Sequence, residues 1–451
     1  MRTLSPKETG AKYTSGWTKR GGRAMINKTV MPLRRTRAVI QAPGDKSISH
    51  RAAILNAAAE GSARLTGFLN SADCLNTLKA LQAMAVPIET EGEAVKIRGV
   101  GLRGFKPPAR SIDVGNSGTG IRLLSGLCAG QPFETTLTGD ESIRRRPMGR
   151  IVEPLRRMGA QVNGAENGNR APLRIRGGQL RGMRYISPVA SAQVKSAVLI
   201  AGLYADSPVS TSEPHLSRDH TERMLSAMGA DLERDGLTAA ICPGADLQAR
   251  DMRIPADLSS AAFLIAAGVL MDDAEIAVVN VGVNPTRTGF LEALQRMGAD
   301  IAIENERMEE FEPTADIRAR SGALRGAEFG GDIVVRMIDE MPILALCASQ
   351  AEGRTVVREA SELRVKESDR ISAIVEELGK LGVQAEERAD GFVIEGPQEI
   401  QGGVCSSQGD HRMAMTEAVA GLLARRPTTI QNVGCVDTSF PGFWELLESL
   451  S

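Results

Sequence analysis

Lysine and arginine side chains recur beside short polar segments that are typical of helix starts. Ser, Asn and Asp are preferred there because their side-chain oxygens accept hydrogen bonds from free backbone N–H groups. That end of a helix also carries about half a positive charge, so a further cation is unfavourable unless an anion binds. Backbone N–H groups, helix dipole and guanidinium together suit phosphate or carboxylate. The cations in such places are Lys46, Arg51, Arg122, Lys195 and Arg412, with Arg146 in the 139–147 loop and Lys366 and Arg370 in the 364–370 segment. The pattern predicts a site for small molecules with several negative charges, although capping alone explains most of the serines.

Three carboxylates in the second half of the chain could move protons. They belong to Asp339, Glu340 and Glu367, and proton transfer by a positioned carboxyl group is a common form of catalysis. Lys366 adjoins Glu367, which suggests an acid–base pair with mutually tuned pKa values. A purely structural ion pair is the alternative.

The sequence lacks the motifs of several other kinds of site. It contains neither a GxxxxGK[ST] phosphate loop nor a GxSxG nucleophile elbow. Its six cysteines form no CxxC or Cys/His cluster, so we interpret them as reduced thiols and not as zinc ligands. The four histidines are scattered, and His220 and His411 each follow an aspartate. We therefore expect neither a metal nor a cofactor.

Charge and hydropathy argue against two classes of partner. The 451 residues include 54 Lys and Arg against 55 Asp and Glu, so no net positive field favours nucleic acid or an anionic membrane. The longest apolar stretch, residues 261–271, is shorter than the roughly 20 residues that span a bilayer. Residues 1–31 contain no continuous hydrophobic segment, so we interpret them as a disordered leader, with an organellar transit peptide as the alternative. We expect a cytoplasmic protein.

Two repeated patterns organise the chain. Leu-x-x-Met-Gly-Ala begins at residues 155, 225 and 294, with looser copies at 81 and 378, and is typical of a helix end, a glycine stop and a new strand. An apolar helix rich in Ala and Gly begins near residues 51, 121, 194, 261, 342 and 416, at spacings of 67 to 81. Helices that are apolar on nearly all sides are buried. The repeats predict six α/β units, each with one buried and one more exposed helix.

Six such units exceed what one core usually holds, because cores larger than about 250–300 residues tend to split. We predict two lobes of three units each. One lobe comprises residues 45–254, and the other comprises residues 32–44 together with 255–451, so that the chain passes between the lobes twice. Two alternatives fit less well. Solenoid repeats usually run about 20–50 residues, and a doubly wound dinucleotide-binding sheet needs a glycine fingerprint that residues 115–120 do not match.

Several longer motifs, taken in order along the chain, resemble those of one enzyme family. They are Gly44-Asp45-Lys46-Ser47-Ile48-Ser49-His50-Arg51, residues 115–122, Arg145-Arg146-Pro147-Met148, Ser191-Ala192-Gln193-Val194-Lys195, Ser217-Arg218-Asp219-His220, residues 364–370 and Asp410-His411-Arg412. From about residue 38 onward the chain resembles the 5-enolpyruvylshikimate-3-phosphate (EPSP) synthases. The resemblance implies an inside-out α/β barrel of two similar lobes, each of three βαβαββ repeats, with the substrate cleft between the lobes.

The resemblance also implies the reaction. Members of this family transfer the enolpyruvyl group of phosphoenolpyruvate to the 5-hydroxyl of shikimate 3-phosphate and release phosphate. The route is addition–elimination through a tetrahedral intermediate, and the product leads to chorismate and the aromatic amino acids. The expected partners are these two small substrates, with the inhibitor glyphosate as a further ligand, and the expected state is a monomer.

Positions that match the family motifs imply the site residues. For shikimate 3-phosphate they are Lys46, Ser47, Arg51, Ser191, Ala192, Gln193, Arg218, Asp339 and Lys366. For phosphoenolpyruvate they are Lys46, Asn116, Gly118, Arg146, Gln193, Arg370 and Arg412. The catalytic residues implied are Asp339 as proton acceptor, Glu367 as proton donor to the enol methylene, Lys366 near the hydroxyl, and Lys46.

Some positions depart from the family pattern. Glu362 and Thr438 stand where some members have Asn and Lys. Several motifs are closer to the class of the family that often tolerates glyphosate, yet Gly118 is the small residue typical of sensitive enzymes. Sensitivity is therefore our hypothesis.

Two other functions stay open at this point. UDP-N-acetylglucosamine enolpyruvyl transferases share the fold but carry a reactive cysteine five residues before the Arg-Pro pair, where this chain has Glu141. A non-catalytic anion-binding protein built on the same repeats would not need Asp339, Lys366 and Glu367 together, and function depends on such sites more than on fold.

Overall fold

The computed structural model describes residues 3–4 and 26–451. Most of the predicted leader, residues 1–31, therefore lies outside the described residues. Two strands lie within that segment, Thr3–Leu4 and Lys28–Val30, so the boundary drawn from the sequence at residue 31 does not mark the first described strand. In the part of the chain that the structure describes, every helix is too short or too polar to cross a membrane.

The chain divides into two compact units. Unit A comprises Gly44–Pro255 and Met308–Glu312, and unit B comprises the described residues up to Pro43, Ala256–Arg307 and Pro313–Ser451. Each unit has one large apolar core of Leu, Ile, Val, Ala and Met. The short segment Met308–Glu312 is an excursion into unit A that the repeats did not indicate.

The strands are short, and most of them alternate buried and exposed residues. They are β1 Thr3–Leu4, β2 Lys28–Val30, β3 Arg35–Ile40, β4 Ser62–Thr66, β5 Ile88–Glu91, β6 Ala94–Arg98, β7 Ile112–Asp113, β8 Glu134–Thr138, β9 Gln161–Ala165, β10 Arg170–Arg176, β11 Arg184–Ile186, β12 Val209–Ser212, β13 Leu232–Asp235, β14 Thr238–Ile241, β15 Met252–Arg253, β16 Asp273–Gly282, β17 Asp300–Glu309, β18 Glu312–Arg320, β19 Glu328–Phe329, β20 Gly353–Val357, β21 Ala385–Arg388, β22 Gly391–Gly396, β23 Val404–Ser406 and β24 Thr428–Gln431.

The sheets repeat one strand order. In unit A the three sheets are β15-β4-β6-β5, β7-β8-β10-β9 and β11-β12-β14-β13. Each begins with a parallel pair and continues with antiparallel neighbours. Unit B has β19-β20-β22-β21 in the same order, β1-β3-β16-β18-β17, and a smaller sheet, β2-β24-β23. With β1 left aside, the five-stranded sheet also has this order, so the predicted α/β repeat is confirmed in five sheets, while the three-stranded sheet does not show it.

The helices alternate between buried and more exposed ones. They are α1 Lys46–Ala57, α2 Ala72–Ala83, α3 Gly118–Ala129, α4 Glu141–Arg145, α5 Gly149–Arg157, α6 Ala192–Gly202, α7 His220–Ala227, α8 Leu258–Leu270, α9 Gly289–Arg296, α10 Asp332–Arg336, α11 Met341–Gln350, α12 Arg370–Lys380, α13 His411–Leu423 and α14 Phe443–Glu448. The six apolar helices α1, α3, α6, α8, α11 and α13 are almost entirely buried, as predicted.

Side-chain oxygens cap five of these six buried helices. Asp45, Ser117, Ser191, Asp257 and Asp410 each accept a hydrogen bond from a backbone N–H group in the first turn. The predicted capping is thus confirmed at these positions, while α11 begins at Met341 without a side-chain cap. Caps of this kind fix where a helix begins and so where the adjoining side chains lie.

Candidate active site

Lys46 and Asp73 form an ion pair at the start of α1. The Lys46 Nζ lies 2.5 Å from Oδ2 of Asp73, a buried residue in the first turn of α2. Asp45 caps the same helix by accepting a hydrogen bond from the N–H of Ile48 at 2.8 Å. The ammonium is therefore held at the tip of α1 by an acid that the sequence did not single out.

Arg51 is fixed among hydroxyl groups one turn further along α1. Its Nε and Nη2 donate to Thr221 Oγ1 at 2.8 Å and to Ser196 Oγ at 2.9 Å. Its Nη1 donates to the carbonyl of Ser47 at 2.9 Å, and Arg218 Nη1 donates to Ser47 Oγ at 3.4 Å. The structure thus brings together Ser47, Arg51 and Arg218 from the predicted shikimate-phosphate set.

Gln193 links the first turns of α3 and α6. Its Oε1 accepts a hydrogen bond from Arg122 Nη1 at 2.6 Å, and its Nε2 donates to Thr119 Oγ1 at 3.0 Å. Ser191 caps α6 by accepting from the N–H of Val194, and Ala192 is the first residue of that helix. Gln193 therefore lies where the predicted phosphoenolpyruvate residues on α3 adjoin the 191–193 segment.

Gly118 and Arg146 are packed closely at the start of α3. A Cβ atom added to Gly118 would lie 2.5 Å from Arg146 Nη1 and 3.0 Å from Arg122 Nη1. Arg146 is buried, with 7% of its surface exposed. Asn116, by contrast, donates to the exposed Asp140 carboxylate at 2.7 Å. Two arginines thus approach the helix tip only because no side chain stands at position 118.

Lys195 does not present its ammonium at a helix tip, contrary to the pattern of cations. Its Nζ lies 2.9 Å from Glu213 Oε2 and 2.8 Å from Glu222 Oε1, and all three side chains are buried. Burial by itself disfavours the charged ammonium, but the Glu222 and Glu213 carboxylates outweigh it and raise the pKa of Lys195. The prediction that Lys195 belongs to the anion-binding cations is wrong, because buried acids already occupy it.

In unit B, Asp339 lies among three cations. Its Oδ1 is 3.3 Å from Arg370 Nη1 and 3.4 Å from Lys366 Nζ, and its Oδ2 is 3.7 Å from Arg412 Nη2. Opposite charges at such distances favour the ionised carboxylate. Asp339 is therefore held as a carboxylate that can accept a hydrogen bond from a hydroxyl group and orient it.

Arg370 is the buried centre of this group. Its Nη2 donates to Glu367 Oε2 at 2.7 Å, and its Nε donates to Asp410 Oδ2 at 2.8 Å. Burial opposes the charge on both Arg370 and Asp410, yet their attraction outweighs it. The pKa of Arg370 is raised and that of Asp410 is lowered. Asp410, which caps α13, also fixes the guanidinium of Arg370.

Arg412 and Lys366 complete the group. Arg412 Nη1 lies 3.5 Å from the buried Glu340 carboxylate, which also accepts a hydrogen bond from Ser259 Oγ. Lys366 follows a short 3₁₀ helix, Ser361–Val365, and its pKa is lowered, chiefly by burial and further by Arg370, with Asp339 opposing the change. A lysine whose pKa is lowered loses its proton more readily and can take part in proton transfer.

The sequence and the fold both match one family of known proteins. Residues 30–447 match the family model of EPSP synthase (3-phosphoshikimate 1-carboxyvinyltransferase). The chain belongs to the EPSP synthase family. It is 48% identical to the 3-phosphoshikimate 1-carboxyvinyltransferase of Brevibacillus brevis, over 94% of this chain and 99% of that protein. It is 51% identical to the enzyme of that name from Geobacillus kaustophilus, over 92% of this chain and 97% of that protein.

Solved structures of EPSP synthases have the same fold. The EPSP synthase of Acinetobacter baumannii superposes with a TM-score of 0.84 at 43% identity, over 94% of this chain and 98% of that one. The enolpyruvyl transferase NikO of Streptomyces tendae shares the fold at 17% identity, with a TM-score of 0.76 over 94% of this chain and 96% of that one. The membership and the α/β fold class that the motifs predicted are confirmed.

Proposed function

We propose that this EPSP synthase family member transfers the enolpyruvyl group of phosphoenolpyruvate to the 5-hydroxyl of shikimate 3-phosphate, forming EPSP and phosphate. The observation that carries the proposal is identity of about half the residues to proteins named for this reaction, along nearly the whole chain. The UDP-N-acetylglucosamine transferase alternative is not favoured, and the non-catalytic alternative does not account for the acid–base group around Asp339.

We assign the shikimate 3-phosphate contacts to two groups of residues. In unit A they are Lys46, Ser47, Arg51, Ser191, Ala192, Gln193 and Arg218. In unit B they are Asp339 and Lys366. The hydroxyl and guanidinium groups at the starts of α1 and α6 suit a phosphate, because helix tips and arginines both stabilise that charge. The Asp339 carboxylate suits the hydroxyl that must be deprotonated.

We assign phosphoenolpyruvate likewise to cations of both units. In unit A the residues are Lys46, Asn116, Gly118, Arg146 and Gln193, and in unit B they are Arg370 and Arg412. The ligand carries a phosphate and a carboxylate, and bidentate guanidinium groups match both. Gly118 leaves room for a ligand to approach the backbone at the start of α3, where Arg146 also lies.

The proposed chemistry uses Asp339 and Glu367 as the two proton-transfer groups. Asp339, with Lys366, orients the hydroxyl and takes its proton as the oxygen attacks. Glu367 protonates the enol methylene, which makes the adjacent carbon electrophilic for attack by the hydroxyl oxygen. The tetrahedral intermediate then eliminates phosphate: the carbon–oxygen bond to phosphate breaks, and a proton of the new methyl group returns to Glu367 as the double bond re-forms. Arg370 donates to Glu367 at 2.7 Å, so an anion bound by Arg370 would weaken its hold on that carboxylate. The arginines stabilise the charge of the departing phosphate.

We also propose that the protein acts in the cytoplasm as a monomer and binds glyphosate as an inhibitor. All six cysteines, which lie within the described part of the chain, are unpaired, as is usual in a reducing compartment. Glyphosate sensitivity rests on the family resemblance at Gly118.

Phosphorus NMR tests the proposed reaction directly. Purified protein is incubated with phosphoenolpyruvate and shikimate 3-phosphate, and the spectrum is followed with time. We expect the phosphoenolpyruvate signal to be replaced by that of inorganic phosphate, and the shikimate 3-phosphate signal by a new signal from EPSP, in equal amounts. Phosphate that forms without the new signal would indicate hydrolysis and would contradict the proposal.

A further inference from the structure

A buried carboxylate ties together two loops of unit A. Glu213 Oε1 accepts a hydrogen bond from the N–H of Ser191 at 2.7 Å, at the start of α6. Ser217, just before α7, donates its hydroxyl to Glu213 Oε2 at 2.7 Å and its N–H to the same oxygen at 3.3 Å. The residues next to these contacts are Ala192 and Arg218. One side chain therefore holds both loops that carry proposed phosphate ligands.

Lys195 balances the charge of this carboxylate. Its Nζ contacts Glu213 at 2.9 Å, Glu222 at 2.8 Å and the carbonyl of Ser217 at 3.2 Å. The ammonium can donate three hydrogen bonds, and these three acceptors match that number. The Lys195 and Glu213 side chains are 3% and 1% exposed, so both charges are removed from water.

Stability alone is a weak reason for such a cluster. Removing charges from water is costly, and well-packed apolar side chains often serve a core equally well. What an apolar cluster could not do is accept hydrogen bonds from Ser191 and Ser217 at once. Glu213 supplies the acceptors, and Lys195 makes the buried charge tolerable.

We propose that Glu213 is a positioning residue for the shikimate-phosphate site. It acts through Ser191 and Ser217, sets the separation of the 191–193 and 217–218 segments, and does not itself touch substrate. This inference rests on the proposed function for the identity of the substrate. The hydrogen-bonded connection between the two loops through Glu213 can be tested without knowing the substrate.

Glu213→Gln tests the proposal with little change of shape. One carboxylate oxygen becomes an NH₂ donor, which must face either the N–H of Ser191 or the donors Lys195 and Ser217. We expect the KM for shikimate 3-phosphate to rise about tenfold, with the KM for phosphoenolpyruvate and kcat changing less than about threefold, because binding of one substrate is misaligned. Calorimetric binding of shikimate 3-phosphate alone should weaken by the same factor.

Glu222→Gln is the matched control. It removes the second carboxylate that contacts Lys195, and it leaves intact the hydrogen bonds from Ser191 and Ser217 to Glu213. We expect it to leave the KM for shikimate 3-phosphate within about twofold of the original value. Equal effects of the two variants, or no effect of Glu213→Gln, would overturn the proposal. If Glu213→Gln does not fold, Ser217→Ala decides, because it removes the hydroxyl donor to Glu213 and keeps every charge. An unchanged KM for shikimate 3-phosphate would then refute the proposal.

Hydrogen exchange separates this inference from the proposed function. Peptides that cover residues 187–194 and 213–219 should exchange faster in Glu213→Gln than in Glu222→Gln, whatever the substrate is. If the unaltered protein does not turn over shikimate 3-phosphate, the proposed function fails and the exchange result still tests the tie. Equal exchange of the two peptides in both variants would show that Glu213 does not hold the loops.

Discussion

The space beside Gly118 is bounded by Arg146. A methyl carbon at Gly118 would lie 2.5 Å from Nη1 of that arginine, which is closer than side-chain carbons approach other atoms in proteins. Because Arg146 is also buried, its guanidinium would have to move for any larger residue to fit. The two residues therefore constrain each other at the proposed phosphoenolpyruvate site.

Gly118→Ala should weaken phosphoenolpyruvate binding. We expect the KM for phosphoenolpyruvate to rise about tenfold and the KM for shikimate 3-phosphate to stay within about twofold of its original value. The reason is that only Arg146 and Arg122 must shift to make room for the methyl group. Steady-state kinetics with each substrate varied will measure both values. Gly379→Ala is the control, since an added Cβ there meets nothing within 4 Å.

The same variant bears on glyphosate. We expect the unaltered protein to be inhibited, and Gly118→Ala to need more inhibitor. An inhibition curve of the unaltered protein that stays flat into the millimolar range would contradict the sensitivity hypothesis. An unchanged phosphoenolpyruvate KM in Gly118→Ala would contradict the assignment of this position.

Glu367→Gln should reduce turnover far more than binding. The amide keeps the size of the side chain but cannot donate an acidic proton, so kcat should fall at least about 100-fold. Arg370 would still contact Asp339 and Asp410. Calorimetric binding of shikimate 3-phosphate should change less than about threefold. Glu376→Gln, on the following helix α12 but exposed and paired with Lys380, should leave kcat unchanged. Full turnover in Glu367→Gln would remove Glu367 as the acid.

Lys366 should set the alkaline limit of activity. Burial and Arg370 lower its pKa, so the ammonium loses its charge at a lower pH than an ordinary lysine does. Binding that requires this charge is intact below the lowered pKa and is lost as the pH rises through it. The value of kcat/KM for shikimate 3-phosphate should therefore fall as the pH rises through the pKa of Lys366.

Lys366→Arg should move that alkaline limb to higher pH, because a guanidinium stays protonated. The pH profile of kcat/KM is the measurement. Lys380→Arg is the control, since Lys380 is exposed and its pKa is raised by Glu377 and Glu376. A limb that stays in place in Lys366→Arg would assign it to another group.

Asp410→Asn should destabilise unit B. It leaves the buried Arg370 without its most deeply buried carboxylate partner, and breaking a buried pair costs about 3–5 kcal/mol. Urea unfolding at neutral pH measures the decrease in the free energy of unfolding. Asp369→Asn is the matched control: Asp369 also caps a helix and pairs with an arginine, but it is 39% exposed, so the loss should be about 1 kcal/mol or less.

The effect of Asp410 should depend on pH in a defined direction. Arg370 lowers the pKa of Asp410 despite its burial, so the folded state favours the carboxylate. The stabilisation that Asp410 contributes is complete when the pH is above the pKa of an aspartate in the unfolded chain, about 3.9. It is lost as the pH falls below that value. The difference in free energy of unfolding between the unaltered protein and Asp410→Asn should therefore shrink below about pH 4. A difference that grows with acid would contradict the pairing.

The parts of the fold set by local chemistry were predictable from the sequence. Ser117, Ser191 and Asp257 cap the buried helices because their oxygens accept free N–H groups in the same turn. The Leu-x-x-Met-Gly-Ala copies end helices because Gly159 and Gly229 adopt positive φ values of 106° and 93°, which glycine allows.

Long-range contacts were not predictable in the same way. Lys195 stands near a helix start like the other cations, and only the fold reveals that Glu213 and Glu222 surround it. Asp410 pairs with Arg370 across 40 residues of sequence, and Lys46 pairs with Asp73 on the next helix. A pattern of spacings contains no information about which acid each cation meets.

The acceptor that takes the enolpyruvyl group distinguishes the proposed function from its alternatives most directly. Purified protein with phosphoenolpyruvate is supplied in parallel with shikimate 3-phosphate or with UDP-N-acetylglucosamine, and the initial rate of phosphate release is measured for each. We predict sustained release with shikimate 3-phosphate, none above background with the UDP-sugar, and loss of release in Asp339→Asn. Release that depends on the UDP-sugar, or none with either acceptor, would contradict the proposed function.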